Sequence, residues 1–223
     1  ETNYDIIAGS VLSLDKLKSE ISESLPELYK LLKIFASKQI RNLATLGGNI
    51  ATASPIGDTI PLLIAYRAQI KLISKKGERI ISIENFIKGY RITDQKKGEI
   101  IHSIIIPKPG DQQIRFYKVS KRKDLDISTV SAGFRLGIRK DIVHEICLTY
   151  GGMAEMVKRA KKTENYLLNR KWSSESVRAA MENLEKDFAP ISDARANAKF
   201  RMDAAKNLLL KFFEDTGNGI HGS

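Results

Sequence analysis

The sequence predicts an α+β fold, and three observations carry that prediction. Beyond residue 111, three strand candidates are followed by helical segments alone, as in a sheet with helices packed on one face. Before it, two strand-like runs flank Lys75-Lys76-Gly77-Glu78, a hairpin signal. Between them lies Pro107-Lys108-Pro109-Gly110-Asp111, the clearest linker in the chain. With 223 residues, 42% of them hydrophobic, the chain can build a core as one large domain or two smaller ones. We place the division at the linker, giving units 1–107 and 112–215 and a frayed tail over 216–223.

Taken in order, residues 4–8 read as a short strand, and Ser13 caps a helix that uses Leu14, Leu17 and Ile21. Pro26 suits a first helical turn. Leu25, Leu28, Leu32 and Phe35 recur at helical spacing, so this second helix is expected to run directly into a Gly-Gly segment. Asp58 and Thr59 can cap a helix over 61–68 whose buried side holds Leu62, Leu63 and Tyr66. Strands follow at 69–74, 79–83 and 100–106, the last stopped by Pro107. The second unit opens with strands at 114–120, 129–138 and 142–150, and Arg139-Lys140-Asp141 turns the second into the third. Helices are expected over 159–168 and 175–188. A last helix opens at Asp193 with Phe200, Ala204, Leu208 and Phe212 on one face.

The composition narrows the chemistry. The net charge is +11, but it is spread over both halves: 15 basic and 11 acidic residues up to Pro107, 22 and 15 beyond it. Lys158-Arg159-Ala160-Lys161-Lys162 is the one dense cluster, and no nucleic-acid motif accompanies it. A solvated face, or a surface for an acidic partner subunit, accounts for the excess better than nucleic acid does. No apolar run approaches a membrane span, and the acidic, polar opening residues read as no signal peptide. The single cysteine, Cys147, sits in an apolar run and is expected to be a buried, inert thiol in a reducing cytoplasm. One cysteine cannot hold an iron–sulfur cluster, which needs about four thiolates. Three scattered histidines do not suggest a metal site, and neither G-x-G-x-x-G nor a P-loop occurs. If the chain handles electrons it needs an organic cofactor, with any metal centres on other polypeptide.

The most informative stretch is Arg41 to Asp58, which runs from its first arginine to its last aspartate with no charged residue between. Gly47-Gly48 lets the backbone turn tightly and leaves amide N–H groups with no side chain in front of them. Thr45, Asn49, Thr52 and Ser54 set neutral hydrogen-bonding groups around that turn. Such a concave set of donors can hold a phosphate or diphosphate. A polar hairpin loop is the plainer reading, but a solvated loop in so basic a chain would be expected to carry lysines.

Ala36-Ser37-Lys38-Gln39-Ile40-Arg41-Asn42 precedes this segment, and Asn85-Phe86-Ile87-Lys88-Gly89-Tyr90-Arg91 follows it. Then come Tyr117-Lys118-Val119-Ser120-Lys121-Arg122 with Asp126-Ile127-Ser128, Tyr150-Gly151-Gly152-Met153-Ala154, and Pro190-Ile191-Ser192-Asp193-Ala194-Arg195. In this order the pieces resemble the FAD-binding domain of the xanthine dehydrogenase family. More narrowly, they resemble the bacterial form, with iron–sulfur and flavin domains on one small subunit. The resemblance covers essentially the whole chain. It implies the second half of a PCMH-type FAD-binding domain, then a three-stranded antiparallel sheet packed against helices, like the C-terminal domain of the CO dehydrogenase flavoprotein.

The resemblance also implies roles for residues. Thr45, Leu46, Gly47, Gly48 and Asn49 match a loop lying against the diphosphate and ribityl chain of FAD. Asp58 matches an acidic position that hydrogen-bonds the cofactor, and Phe35 one packed beside the flavin. Ile101 matches an aliphatic residue over the isoalloxazine ring. Lys118 matches a lysine that reaches the cofactor, with Arg122 following it; a cation there favours the anionic reduced flavin. From the residues alone, Phe35 reads equally as core, Ile101 reads first as a strand residue in a core, Asp58 as a helix cap and Lys118 as a surface lysine. Asp124 and Asp126 enclose Leu125 where the family's acidic pattern varies. The family's earlier Gly-Gly-Thr-Asp loop has no counterpart, so the chain alone is expected to bind FAD poorly.

By resemblance, then, the chain is the C-terminal piece of a xanthine dehydrogenase flavin module. Electrons from purine hydroxylation at a molybdenum cofactor would pass through [2Fe-2S] clusters, both on other domains or subunits, to FAD and then NAD. The implied partners are a molybdenum-binding large subunit and an N-terminal segment carrying the iron–sulfur clusters and first FAD subdomain. Arg195, Lys199 and Arg201 are expected to offer a docking face on the last helix. Two other readings stay open: the medium FAD subunit of a carbon monoxide or aldehyde-type molybdenum hydroxylase, and a cofactor-free interaction fragment.

Overall fold

The computed structural model describes residues 3–7, 13–122 and 125–217. The chain begins with β1 (Asn3–Ile7); Ala8, at the end of the expected strand, lies outside the described residues. Helix α1 (Leu14–Glu20) starts where Ser13 Oγ accepts from the Lys16 amide, and α2 (Pro26–Ile34) carries its proline in the first turn. The expected continuous helix into the glycines does not form. Phe35 is extended and Ala36 turns left-handed at φ +44°, so α2 stops at Ile34 and a separate α3 (Lys38–Leu43) intervenes.

The glycine pair is likewise not a tight turn. Gly47 and Gly48 lie in the first turn of α4 (Leu46–Ala51), whose cap Thr45 accepts from the Gly48 amide. Two glycines disfavour a helix by about 1 kcal/mol each. The cap and the burial of Leu46 and Ile50, four residues apart on one face, offset that cost. Next, α5 (Thr59–Ala65) is buried on every residue. It ends before residue 68 because Arg67 turns left-handed and the Ala68 amide bonds back to the Leu63 carbonyl.

The first sheet comprises β2 (Gln69–Ser74), β3 (Gly77–Ser82) and β6 (Ile100–Pro107) with β1, in the antiparallel order β1-β6-β2-β3. Lys75 and Lys76 form the turn between β2 and β3, since Ser74 pairs with Gly77. Between β3 and β6 lie α6 (Ile83–Phe86), β4 (Ile87–Gly89) and β5 (Ile92–Thr93), which periodicity did not indicate.

The second sheet has four strands, one more than expected: β7 (Gln113–Val119), β8 (Val130–Arg139), β9 (Ile142–Gly151) and β10 (Lys158–Arg159), ordered β10-β9-β8-β7. Lys140 and Asp141 both take positive φ, the two-residue turn whose twist matches a hairpin. Because Lys158 and Arg159 pair with Tyr150 and Thr149, the helix expected from 159 begins later, as α7 (Lys161–Leu167). Helix α8 (Ser174–Asp187) opens on a Ser173–Ser176 capping box. The last helix, α9 (Ala198–Gly217), does not open at Asp193, whose carboxylate closes a turn by accepting from the Arg195 and Ala196 amides. Ala204, Leu208 and Phe212 are buried as expected, whereas Phe200 is half exposed. Thr216 is buried and accepts from Trp172 Nε1 at 3.0 Å, so α9 continues into the start of the expected tail; residues 218–223 lie outside the described residues.

Two apolar cores result. One gathers α1, α2, α4, α5 and the first sheet, and takes in Ile114, Cys147 and Val157 from beyond the linker. The other is aromatic, with Phe134 between Tyr150 at 5.0 Å and Phe212 at 5.2 Å. Helix α5 lies between them. Gly133 of β8 runs directly under Pro61, and the Gly152 amide donates to Pro55 O at 2.8 Å.

Candidate functional site

A groove of about 410 Å³ opens where the N-terminal end of α4 faces β6. Thr45, Gly47, Gly48 and Ala51 form one wall; Gln95, Ile100 and Ile101 form the other, with Leu43 at the rim. The structure therefore brings together the predicted residues Thr45, Gly47, Gly48 and Ile101. The amides at a helix start lack partners within the helix, and that of Gly47 finds no acceptor among the described residues. Leu43 and Ile100 are 87% and 61% exposed, an apolar surface at the edge of a polar cradle.

The far wall is held by ion pairs. Arg79 of β3 donates to both Glu99 oxygens, at 2.7 and 2.9 Å, and to Asp94 at 2.8 Å. This braces the 94–99 loop, and Gln95 Nε2 donates to Glu99 O within it. Hydrogen bonding from Arg79, then from the Lys96 amide, holds the Glu99 carboxyl down at about 2.

Other predicted residues are placed differently. Asn49 turns inward, its Oδ1 accepting from Thr59 Oγ1 at 2.6 Å. Thr52 Oγ1 donates to Asn49 O, and Ser54 Oγ accepts from the Ile56 amide, so both hydroxyls serve the local backbone. Leu46 is a core residue. Phe35 packs half-buried on the first core, and its carbonyl and that of Ala36 accept from Arg41 Nη1. Arg41 is 8% exposed and also pairs with Asp15. It sets the break between α2 and α3, and its place beside the glycines in sequence was the available signal.

Asp58 makes no cap for α5. Its Oδ2 accepts from Lys118 Nζ at 2.7 Å and its Oδ1 from Ser128 Oγ at 2.5 Å. The two charged side chains are 8% and 4% exposed, so Lys118 is a buried partner and not a surface lysine. Arg122 stands apart: it is exposed and pairs weakly with Asp126. Asp124 lies outside the described residues. Arg201, expected on an exposed docking face, is 2% exposed. It donates to the Thr129 and Gly152 carbonyls and pairs with Asp193. Arg195 and Lys199 remain at the surface. Burial raises the Cys147 thiol, as expected of an inert cysteine. Among the described residues no cluster could hold a metal ion, and no helix is long and apolar enough to cross a membrane.

The groove fits a cofactor with a phosphate-bearing chain and a flat ring. The Gly47 amide and the Thr45 hydroxyl meet aliphatic side chains across an open cleft, and a Cβ on Gly48 would come within 3.0 Å of Thr45 Oγ1. The fold is that of an α+β flavoprotein domain. Residues 1–109 match the family described as "FAD binding domain in molybdopterin dehydrogenase", and residues 115–216 the "CO dehydrogenase flavoprotein C-terminal domain". The chain belongs to these flavoprotein domains of the molybdenum hydroxylase family. It is 38% identical over 201 residues to a nicotinate hydroxylase of Emericella nidulans and 36% identical over 208 residues to a xanthine dehydrogenase of Oryza sativa subsp. japonica, matches covering 86% and 90% of this chain. It spans about 15% of the length of either relative. Quinoline 2-oxidoreductase from Pseudomonas putida 86 shares the fold, with TM-score 0.87 and 23% identity over 98% of this chain and 76% of its own.

Proposed function

We propose that this chain is the larger part of the FAD-binding module of a xanthine dehydrogenase-type enzyme, passing electrons from iron–sulfur clusters to NAD. The groove between α4 and β6 carries the reading. Thr45 and the Gly47 amide would hold the diphosphate and ribityl chain, with Leu46 and Gly48 shaping the helix start around them. Phe35 and Ile101 would pack the ring, while Asn49, Thr52 and Ser54 shape the cradle from behind. Lys118 would supply positive charge to the cofactor, with Asp58 as its counter-ion and Arg122 at the edge. FAD would supply a carrier that accepts single electrons and delivers a hydride. The match to xanthine dehydrogenase supports purine hydroxylation as the electron source. A cytoplasmic setting and a molybdenum-binding partner subunit belong to the same proposal.

The C-terminal match to a CO dehydrogenase flavoprotein favours a second reading, the medium FAD subunit of a hydroxylase with another substrate. The two readings share the flavin and differ in the electron source. A fluorescence titration with FAD tests what they share, using this chain and a complete subunit carrying the preceding subdomain. The complete subunit should bind tightly. This chain, lacking three or four hydrogen bonds of roughly 1 kcal/mol each, should bind about two to three orders of magnitude more weakly. A complete subunit that takes up no flavin would leave a cofactor-free interaction module as the function.

A further inference from the structure

Asp58 is the meeting point of two side chains from distant places in the chain. One oxygen serves Lys118, on β7; the other serves Ser128, just before β8. Ser128 is 1% exposed, so its hydroxyl has no water to turn to and its hydrogen bond is spent on the carboxylate. Lys118 Nζ carries two further N–H bonds, and no described residue accepts from them. Ser128 is itself fixed through its neighbour. The Thr129 amide donates to Val119 O at 2.8 Å, and the Thr129 carbonyl accepts from buried Arg201. Arg201 also holds Gly152, whose amide secures Pro55 on the way to Asp58.

We propose that Ser128 is a positioning residue of the cofactor site. Its hydroxyl, beside the Thr129 backbone that Arg201 holds, shares Asp58 with Lys118 and so sets how much of the lysine's charge is left for the cofactor. This rests on the FAD reading above. A carboxylate with two donors spreads its negative charge over both. With the serine donor gone, Asp58 turns wholly on Lys118 and draws the ammonium toward itself. A cofactor that becomes more negative on reduction then loses stabilisation in its reduced form, and its potential falls. On this reading the Asp58, Lys118 and Ser128 cluster adjusts the charge offered to the cofactor.

The test compares wild type, Ser128→Ala and Ser128→Thr in the complete flavin-loaded subunit, reading flavin content, midpoint potential and apo-protein melting temperature. Ser128→Ala should keep its flavin but weaken binding of the reduced form relative to the oxidised form by about tenfold, about 30 mV for a two-electron couple. Ser128→Thr, which keeps the hydroxyl, should restore the wild-type potential. If the alanine variant is too unstable to load, Ser128→Cys replaces a strong donor with a weak one at nearly the same volume and should shift the potential the same way. Flavin-loaded Ser128→Ala with an unchanged potential would overturn the proposal and leave the FAD reading standing. A wild-type subunit without flavin would overturn that reading and this proposal with it.

Discussion

Gly133 lies against the Pro61 carbonyl so closely that no β-carbon fits between them. The obstacle is backbone on both sides, so it cannot swing away as a flexible side chain would. Gly133→Ala should therefore force α5 off β8 and cost about 3 kcal/mol or more, the upper range for overpacking. Denaturant unfolding of the two proteins measures this. Equal midpoints would mean that the helix and sheet are not in the contact described.

Gly48→Val places a branched side chain at the groove wall, beside the hydroxyl that caps α4. The loss of the cap should cost about 1 kcal/mol of stability. In the complete subunit, flavin affinity should fall by more than tenfold. Undiminished affinity by fluorescence titration would move the diphosphate elsewhere.

Acid should loosen the far wall of the groove before it unfolds the cores. Glu99 has its carboxyl depressed by Arg79 from the ordinary 4.5 to about 2. A depressed folded value stabilises the fold above the unfolded value and loses that contribution as pH falls through the folded one. The stability gap between wild type and Glu99→Gln should accordingly be full above about pH 5 and close between 4.5 and 2. Unfolding curves at stepped pH would show a constant gap if the pair contributes nothing.

Arg201→Leu strips hydrogen bonds from two carbonyls and leaves Asp193 without its buried partner. A loss of about 3 kcal/mol is expected, as for breaking a buried pair. Arg195→Leu, at the surface end of the same aspartate, should cost less than about 1 kcal/mol. Similar losses in both variants, read by thermal melts, would contradict the difference in burial.

Much of this was legible because it depends on neighbours in sequence. Ser13 and Pro26 announce their helices by local chemistry, Lys75-Lys76 sits between alternating strands, and the uncharged run around Gly47-Gly48 marks the groove's near wall. What escaped was set by distant partners. Asp58 reads as a cap until Lys118, 60 residues on, arrives to claim it. Arg201 reads as solvated until Thr129 and Gly152 close over it. The two-residue strand β10 exists only as the edge partner of β9. Gly47 and Gly48 argue against a helix, and burial of Leu46 and Ile50 outweighs them.

The linker at 107–111 is the expected site of first cleavage in limited proteolysis, since exposed proline–glycine turns between packed elements are readily nicked. Mass spectrometry of the earliest fragments identifies the cut. A first cut inside β9, whose last six residues are buried, would contradict the placement of the boundary.

That the first core reaches across this linker has a consequence for a nicked molecule. Ile114, Cys147 and Val157 complete a cluster otherwise made by residues before the cut. Neither fragment can seal its own interior, so the two should elute together as one particle and part only in denaturant. Made separately, each should be insoluble or unfolded, yet the pair should reconstitute when refolded in one tube. The covalent joint and the thermodynamic unit do not coincide in this chain, and a gene split at the linker would yield two halves that need each other to fold.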